Sequence, residues 1–187
     1  MHKDIVVCGA YAFSESGIPF VVFPPISGNS LSSYVFNNST ELWGVSFAGG
    51  MTYLSEQFFN GCKKLKSCTI PNTVETIKSN VFSYCSVLNS VVLPTSCSNM
   101  QTSAFSYDYL LTKLTIPSSF TTLGASLFTN CYAMKEIHFK RLTPPSIESN
   151  TFSNMATDVT FYVPSASLND YKTASNWSSY ASQIVGE

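Results

Sequence analysis

Phenylalanine recurs at positions 13, 36, 59, 82, 105, 128 and 152, with spacings of 23 residues throughout and 24 at the last step. No other feature constrains the fold as tightly. A unit this short cannot bury its own apolar side, so a chain built from such units folds by stacking each on the next. The positions around the phenylalanines recur with them. Three residues on lie Cys62, Cys85, Cys131 and Met155, with polar residues in the other units; six residues on lie Leu42, Leu65, Leu88, Leu111 and Met134. Nine and eleven residues on come the pairs Val45/Phe47, Cys68/Ile70, Val91/Leu93, Leu114/Ile116, Ile137/Phe139 and Phe161/Val163. Further along are Met51/Leu54, Val74/Ile77, Cys97/Met100 and Phe120/Leu123. The first unit fits with one residue fewer before Val21, Phe23 and Pro24, and Ile5 and Cys8 take the places of Val74 and Ile77.

Each unit holds one stretch of period-two alternation, such as Leu114-Thr115-Ile116, which predicts a short strand. Pro71, Pro94, Pro117 and Pro164 follow these strands, and a residue without an N–H ends the pairing. What remains of a unit is too short for a full helix with loops, so turns and brief helical turns are expected there. The strands then stack in parallel about 4.8 Å apart, with the recurrent Phe, Leu, Ile and Val facing inward.

Only 11% of the residues are charged and the net charge is -1, while 44% are hydrophobic. With no long run of Lys or Arg, the chain has little to neutralise a phosphate backbone or an anionic membrane surface. The hydrophobic content argues against a disordered chain, and no segment approaches the length of a spanning helix. The run from Ile5 to Phe13 behind Lys3 reads as part of a repeat rather than as a signal peptide. Roughly a third of the chain is Ser, Thr or Asn, which satisfy backbone groups locally in turns.

The six cysteines contain no C-x-x-C pair, and only His2 and His138 could join them, which weighs against a metal site. Each stands where another unit has an apolar residue, so they read as buried free thiols. Cys62 and Cys85 are the one pair whose Cα atoms could approach disulfide range. Their parallel side-chain directions count against a bridge. No residue pattern implies a cofactor.

Residues 59 to 82, running Phe-Asn-Gly-Cys-Lys-Lys-Leu-Lys-Ser-Cys-Thr-Ile-Pro and on to Val-Phe, resemble the BspA-type leucine-rich repeat. The ending Phe161-Tyr162-Val163-Pro164, followed by Leu168, Tyr171 and Trp177, is similar to that of bacterial members. The resemblance implies a right-handed leucine-rich-repeat solenoid of about seven units over residues 1–164, its short parallel strands lining the concave face. It also implies a non-enzymatic adhesion or binding role, with an extracellular or cell-surface location. Two departures stand out: Asp158 where other units have Leu, and one extra residue near Pro144-Pro145, which predicts a bend or bulge over residues 141–150.

Residues 165–187 suit a C-terminal cap, with Ser165 or Ser167 at the start of a short helix carrying Leu168, Tyr171 and Ala174. A carbohydrate-stacking site formed by Trp177 with Tyr171 and Tyr180 is the functional alternative. The N-terminal end has no comparable segment, which predicts an upstream domain in the natural protein, an exposed edge or a partner subunit there. The strand residues alternating with the core form the candidate binding face: Ser67, Thr69, Ser90, Val92, Lys113, Thr115, Glu136, His138, Thr160 and Tyr162, with Phe20, Val22, Gly44 and Ser46 before them. A protein or glycan suits such an extended surface; a structural component of a larger assembly, such as a phage particle, is the other class. Lys113, Glu136 and His138 have the types of a catalytic trio, but their register places them on an open face without an implied pocket.

Overall fold

The phenylalanines form a column. In the computed structural model, which describes residues 8–25 and 31–187, each ring stacks on the next at centroid distances of 5.2 to 6.0 Å and interplanar angles of 6 to 20°. From Phe36 to Phe152 the rings are buried.

The long strands follow the predicted alternation and the short ones lie between them. In chain order they are β1 (Phe20–Phe23), β2 (Gly44–Phe47), β3 (Tyr53–Leu54), β4 (Ser67–Thr69), β5 (Thr76–Ile77), β6 (Ser90–Val92) and β7 (Asn99–Met100). They continue as β8 (Lys113–Ile116), β9 (Thr122–Leu123), β10 (Glu136–Phe139), β11 (Ser146–Ile147), β12 (Thr160–Val163) and, after the helix α1 (Leu168–Thr173), β13 (Ile184–Gly186). All pairing is parallel. β1 pairs with β2, β4 with β6, and β8, β10, β12 and β13 form one continuous run.

Where the pattern predicts only turns, the structure holds a second parallel sheet, in the order β11-β9-β7-β5-β3. The bridge between Cys8 and Leu31 extends its register toward the N-terminus and puts Cys8 in the Ile77 place. Ile5, expected in the place of Val74, lies outside the described residues. A strand of two residues offers no alternation to read, which is why the period alone does not reveal it.

The turn around each phenylalanine supplies a third ladder. The residues two before and two after it sit at positive φ in most units, for instance Ser103 (56°) and Tyr107 (65°) around Phe105. Such conformations cost of order 1 kcal/mol or more each for non-glycine residues. They are held by bonds to the next unit: the N–H groups of Ser103, Phe105 and Tyr107 donate to the carbonyls of Ala125, Leu127 and Thr129 at 3.0, 3.0 and 2.8 Å. From Phe36 onward the residue before each phenylalanine, among them Val35, Phe58, Val81 and Leu127, is a further buried file that the sequence pattern does not single out.

The cysteines are free and buried. Cys62, Cys85 and Cys131 point their thiols at the carbonyls of Phe36, Phe59 and Phe105 in the preceding units, at 3.2, 3.1 and 2.9 Å. That common direction explains the unbridged Cys62 and Cys85. Asp108 interrupts the same file. It is fully buried, one carboxylate oxygen accepts from the Cys85 N–H at 3.0 Å, and the other, Oδ2, has no hydrogen-bond partner. Burial drives its pKa well above the usual carboxylate range.

The extra residue near Pro144-Pro145 causes no bulge in either ladder, correcting the expectation of a distorted sheet. β10 and β12 pair at a spacing of 24, as do β9 and β11, so the surplus is absorbed in the loop before β11. That loop presents the Arg141 and Pro145 carbonyls, which accept from Tyr171 Oη (2.9 Å) and Trp177 Nε1 (2.8 Å). Asp158 is no gap in the core either, because Val159 beside it is buried and Asp158 turns outward to Lys135 at 2.6 Å.

Within residues 165–187, aromatic side chains pack on Phe139, Phe152 and Phe161. Trp177 and Tyr171 are buried against Phe139, at 5.0 and 5.9 Å. Full burial of Trp177 removes the carbohydrate-stacking alternative. Two details differ from the sequence reading. Neither Ser165 nor Ser167 caps a helix with its side chain; a 3-10 turn over Ser165–Ser167 leads into α1, and Ser165 Oγ donates to the Glu187 carbonyl at 3.2 Å. The segment also ends in β13, which adds a strand to the long sheet. Among the described residues, no helix is long and apolar enough to cross a membrane.

Candidate functional site

The strand residues that alternate with the core lie on one open face, formed by the β4-β6 pair and the neighbouring β8-β10-β12 strands, as the register requires. Ser67, Thr69, Ser90, Val92, Lys113 and Thr115 are exposed, and Glu136, His138, Thr160 and Tyr162 are partly so. Pairing places Ser67 beside Ser90, Thr69 beside Val92, Lys113 beside Glu136, and His138 between Thr115 and Tyr162. The structure thus brings the ten residues into one file-by-file array. Ser90, Val92, Lys113 and Thr115 also share a shallow depression of about 430 Å³.

Toward the C-terminal end the polar groups engage one another. Lys113 Nζ lies 2.8 Å from Glu136 Oε2, and His138 Nε2 lies 3.3 Å from the same oxygen. His138 Nδ1 is 2.7 Å from Glu187 Oε2, whose other oxygen accepts from Lys140. The His138 ring stacks on Tyr162 at 4.5 Å and 11°. The Lys113 ammonium, with help from His138, holds the Glu136 carboxyl below its usual range, and Glu136 in turn pushes the Lys113 pKa up. Lys140 does the same for Glu187, again with His138 contributing. A carboxylate stabilised as the anion is a poor proton acceptor near neutral pH, so this geometry is that of a charge network.

At the other end the face is aromatic. Phe20 and Trp43 stack at 4.9 Å and 25°, and they are 40% and 53% exposed. Phe20 pairs with Gly44 across β1 and β2, and its ring lies over that glycine: a Cβ there would stand 3.0 Å from Phe20 Cδ2. Beyond the pair opens a cleft of about 600 Å³, whose floor and walls include Ser46, Lys66, Ser67, Thr69 and Pro71. Lys66 makes no ion pair among the described residues, whereas Lys64, Lys113, Lys135 and Lys140 each do.

The sequence pattern misses Trp43, Lys66, Lys140 and Glu187. Trp43 and Lys66 sit one residue ahead of β2 and β4, where alternation assigns no face, although their separation of 23 already puts them in one file. Glu187 reaches His138 only because β13 returns to the sheet.

The fold just described matches that of solved proteins. The pneumococcal vaccine antigen PcpA is 23% identical, with a TM-score of 0.77 over 98% of this chain and 43% of that one. The T. pallidum leucine-rich repeat protein is 21% identical, with a TM-score of 0.67 over 79% of this chain and 70% of that one. A leucine-rich cell surface protein from Faecalibacterium prausnitzii is 20% identical, with a TM-score of 0.64 over 90% of this chain and 48% of that one. The chain therefore spans less than half the length of the pneumococcal and Faecalibacterium proteins. No curated protein matches it significantly. The family model described as "BspA type Leucine rich repeat region" matches six copies over residues 2–112 and 52–179. The fold is a leucine-rich-repeat solenoid, and the chain belongs to the BspA-type leucine-rich repeat family.

Proposed function

We propose that the chain is a non-enzymatic binding module, displayed at or exported to a cell surface, that engages a protein or glycan through the open face of its stacked long strands. The ten residues from Ser67 to Tyr162 form the body of that surface, continued by Phe20, Trp43 and Lys66. One observation carries the reading. The packing positions of every unit are spent on the interior, while the outward positions of successive strands add up to a single exposed face that differs in chemistry from end to end. Repeat solenoids bind macromolecules with such surfaces.

Two further points support it. The Lys113, Glu136 and His138 groups are tied into ion pairs on an open face, which suits recognition better than proton transfer. The Faecalibacterium neighbour is described as a cell surface protein, which supports a surface location. A role as a structural part of a larger assembly draws no added support from the reduced thiols, since packing accounts for their burial.

The test is to replace Lys113, Glu136, His138 and Tyr162 together by alanine and to measure binding to host cells and to immobilised matrix proteins. Binding should fall while the fold, followed by thermal unfolding, persists. Unchanged binding by the folded variant would remove the C-terminal half of the face from the site.

A further inference from the structure

We propose that the cleft bounded by Trp43 and Lys66 is a subsite for a carboxylate-bearing sugar of an acidic oligosaccharide. This rests on the binding reading above and names a ligand class for one end of the same face.

The aromatic wall is built into the fold. Scattered apolar side chains are ordinary at a surface, but here two rings stack beside a cleft and one of them has a glycine beneath it. Phe20 lies flat because Gly44 has no side chain: a Cβ would approach the ring to 3.0 Å. Phe20 covers one side of the indole, and Trp43 is still 53% exposed, so its remaining face is open to the cleft. The electron-rich face of an indole attracts the weakly positive C–H groups on the flat side of a pyranose ring, as it does other edge-on partners.

The polar wall fits the same ligand. Ser46, Ser67 and Thr69 are exposed beside the aromatic pair and line the cleft. Their hydroxyls donate and accept, as sugar hydroxyls require. Lys66 supplies the only charge among the lining residues, and it has no carboxylate partner among the described residues. One ammonium balances one carboxylate; a phosphate monoester, with up to two negative charges, would leave charge uncompensated. The volume of about 600 Å³ lies within the range of small-ligand sites. A second depression, lined by Ser90 and Val92 on the strand paired with Ser67 and Thr69, offers room for further sugar units.

The experiment applies the full chain to an array of defined oligosaccharides carrying uronic or sialic acids, beside their neutral parents and carboxyl methyl esters. Carboxylated members should bind at least about ten-fold more tightly than the neutral ones, a difference of about 1.4 kcal/mol, and rising salt should weaken them. Trp43→Ala should abolish binding to both sets. Lys66→Gln should bring carboxylated members down to the level of their esters while leaving the neutral parents unchanged. Absence of any carboxylated ligand, equal binding of acid and ester, or an unaffected Trp43→Ala protein overturns the subsite. If cells or matrix proteins still bind and the four-alanine variant loses them, only the sugar assignment falls. If neither set of substitutions alters cell binding, the binding face falls with it.

Discussion

Phe20 with Trp43 at one end of the open face, and Lys113 with Glu136, His138 and Glu187 at the other, stand on the same stack of parallel strands in opposite conditions. At the C-terminal end opposite charges one unit apart become neighbours and satisfy each other, as Lys113 and Glu136 do. The same rule pairs Glu41 with Lys64 and Lys135 with Asp158, each 23 residues apart. At the N-terminal end an indole stays half in water and Lys66 has no ion-pair partner among the described residues. In a stacked repeat, the charged residues most visible in the sequence are those most readily consumed by their neighbours, and the residues left over mark where a ligand can add something.

The largest effect should come from the interior that both ends share. Phe105→Ala removes one ring from the column between them and should cost about 3–5 kcal/mol, read as a lowered denaturation midpoint. A near-neutral result would contradict the stacked column. Trp177→Ala should cost about 3 kcal/mol, but locally, because each unit contacts only its neighbours. Hydrogen exchange should show β12 and β13 losing protection while β1 and β2 keep it. The charge network that includes Glu187 should then loosen while the Trp43 cleft survives; equal loss at both ends would break the contrast.

Acid–base behaviour separates buried from exposed carboxylates by sign. Asp108 has a raised folded-state pKa, so the folded chain holds its proton above the unfolded value, about 3.9, and the unfolded chain does not. Its contribution is therefore greatest in acid and declines as pH rises from about 4 toward its folded value. Glu136 and Glu187 have lowered values, so their contribution is present above the unfolded pKa, about 4.3, and is lost as pH falls through the folded ones. Replacing Asp108 by Cys, its neighbours' residue, should flatten the decline at rising pH and leave the acid limb. A wild-type midpoint that does not fall between pH values of about 5 and 8 would show that Asp108 is not a buried acid.

The smallest effect should be none at all. Burial pushes the Cys68 thiol to about 12 and the Cys97 thiol to about 11, and Cys62, Cys85 and Cys131 are raised likewise. Buried thiols of this kind are inert. Iodoacetamide at neutral pH should leave these five unmodified in the folded protein and alkylate them after unfolding; modification of any one in the native state would place it outside the core.

Much of the fold is legible because the period turns tertiary contacts into sequence separations. Phe82 meets Phe105, and Cys85 follows Cys62 in one file, for no reason beyond their spacing of 23. The second sheet is hidden because strands such as Thr76–Ile77 are too short to alternate. The part played by the extra residue near Pro145 is hidden for a different reason. Its carbonyl acquires meaning only when Trp177, 32 residues on, arrives to donate to it.

The sequence by itself determined the repeat, the inward files and the order of residues on the open face, since side chains repeating at one period must stack to escape water. Tertiary structure alone decided the condition of that face. Whether Lys113 is neutralised, whether Glu187 reaches His138, and whether Phe20 can lie over Gly44 depend on how neighbouring units are offset and on where the final strand returns. Those are distances between residues that the period relates only approximately, and ion pairs, ring stacking and exposed clefts are decided at the scale of an ångström.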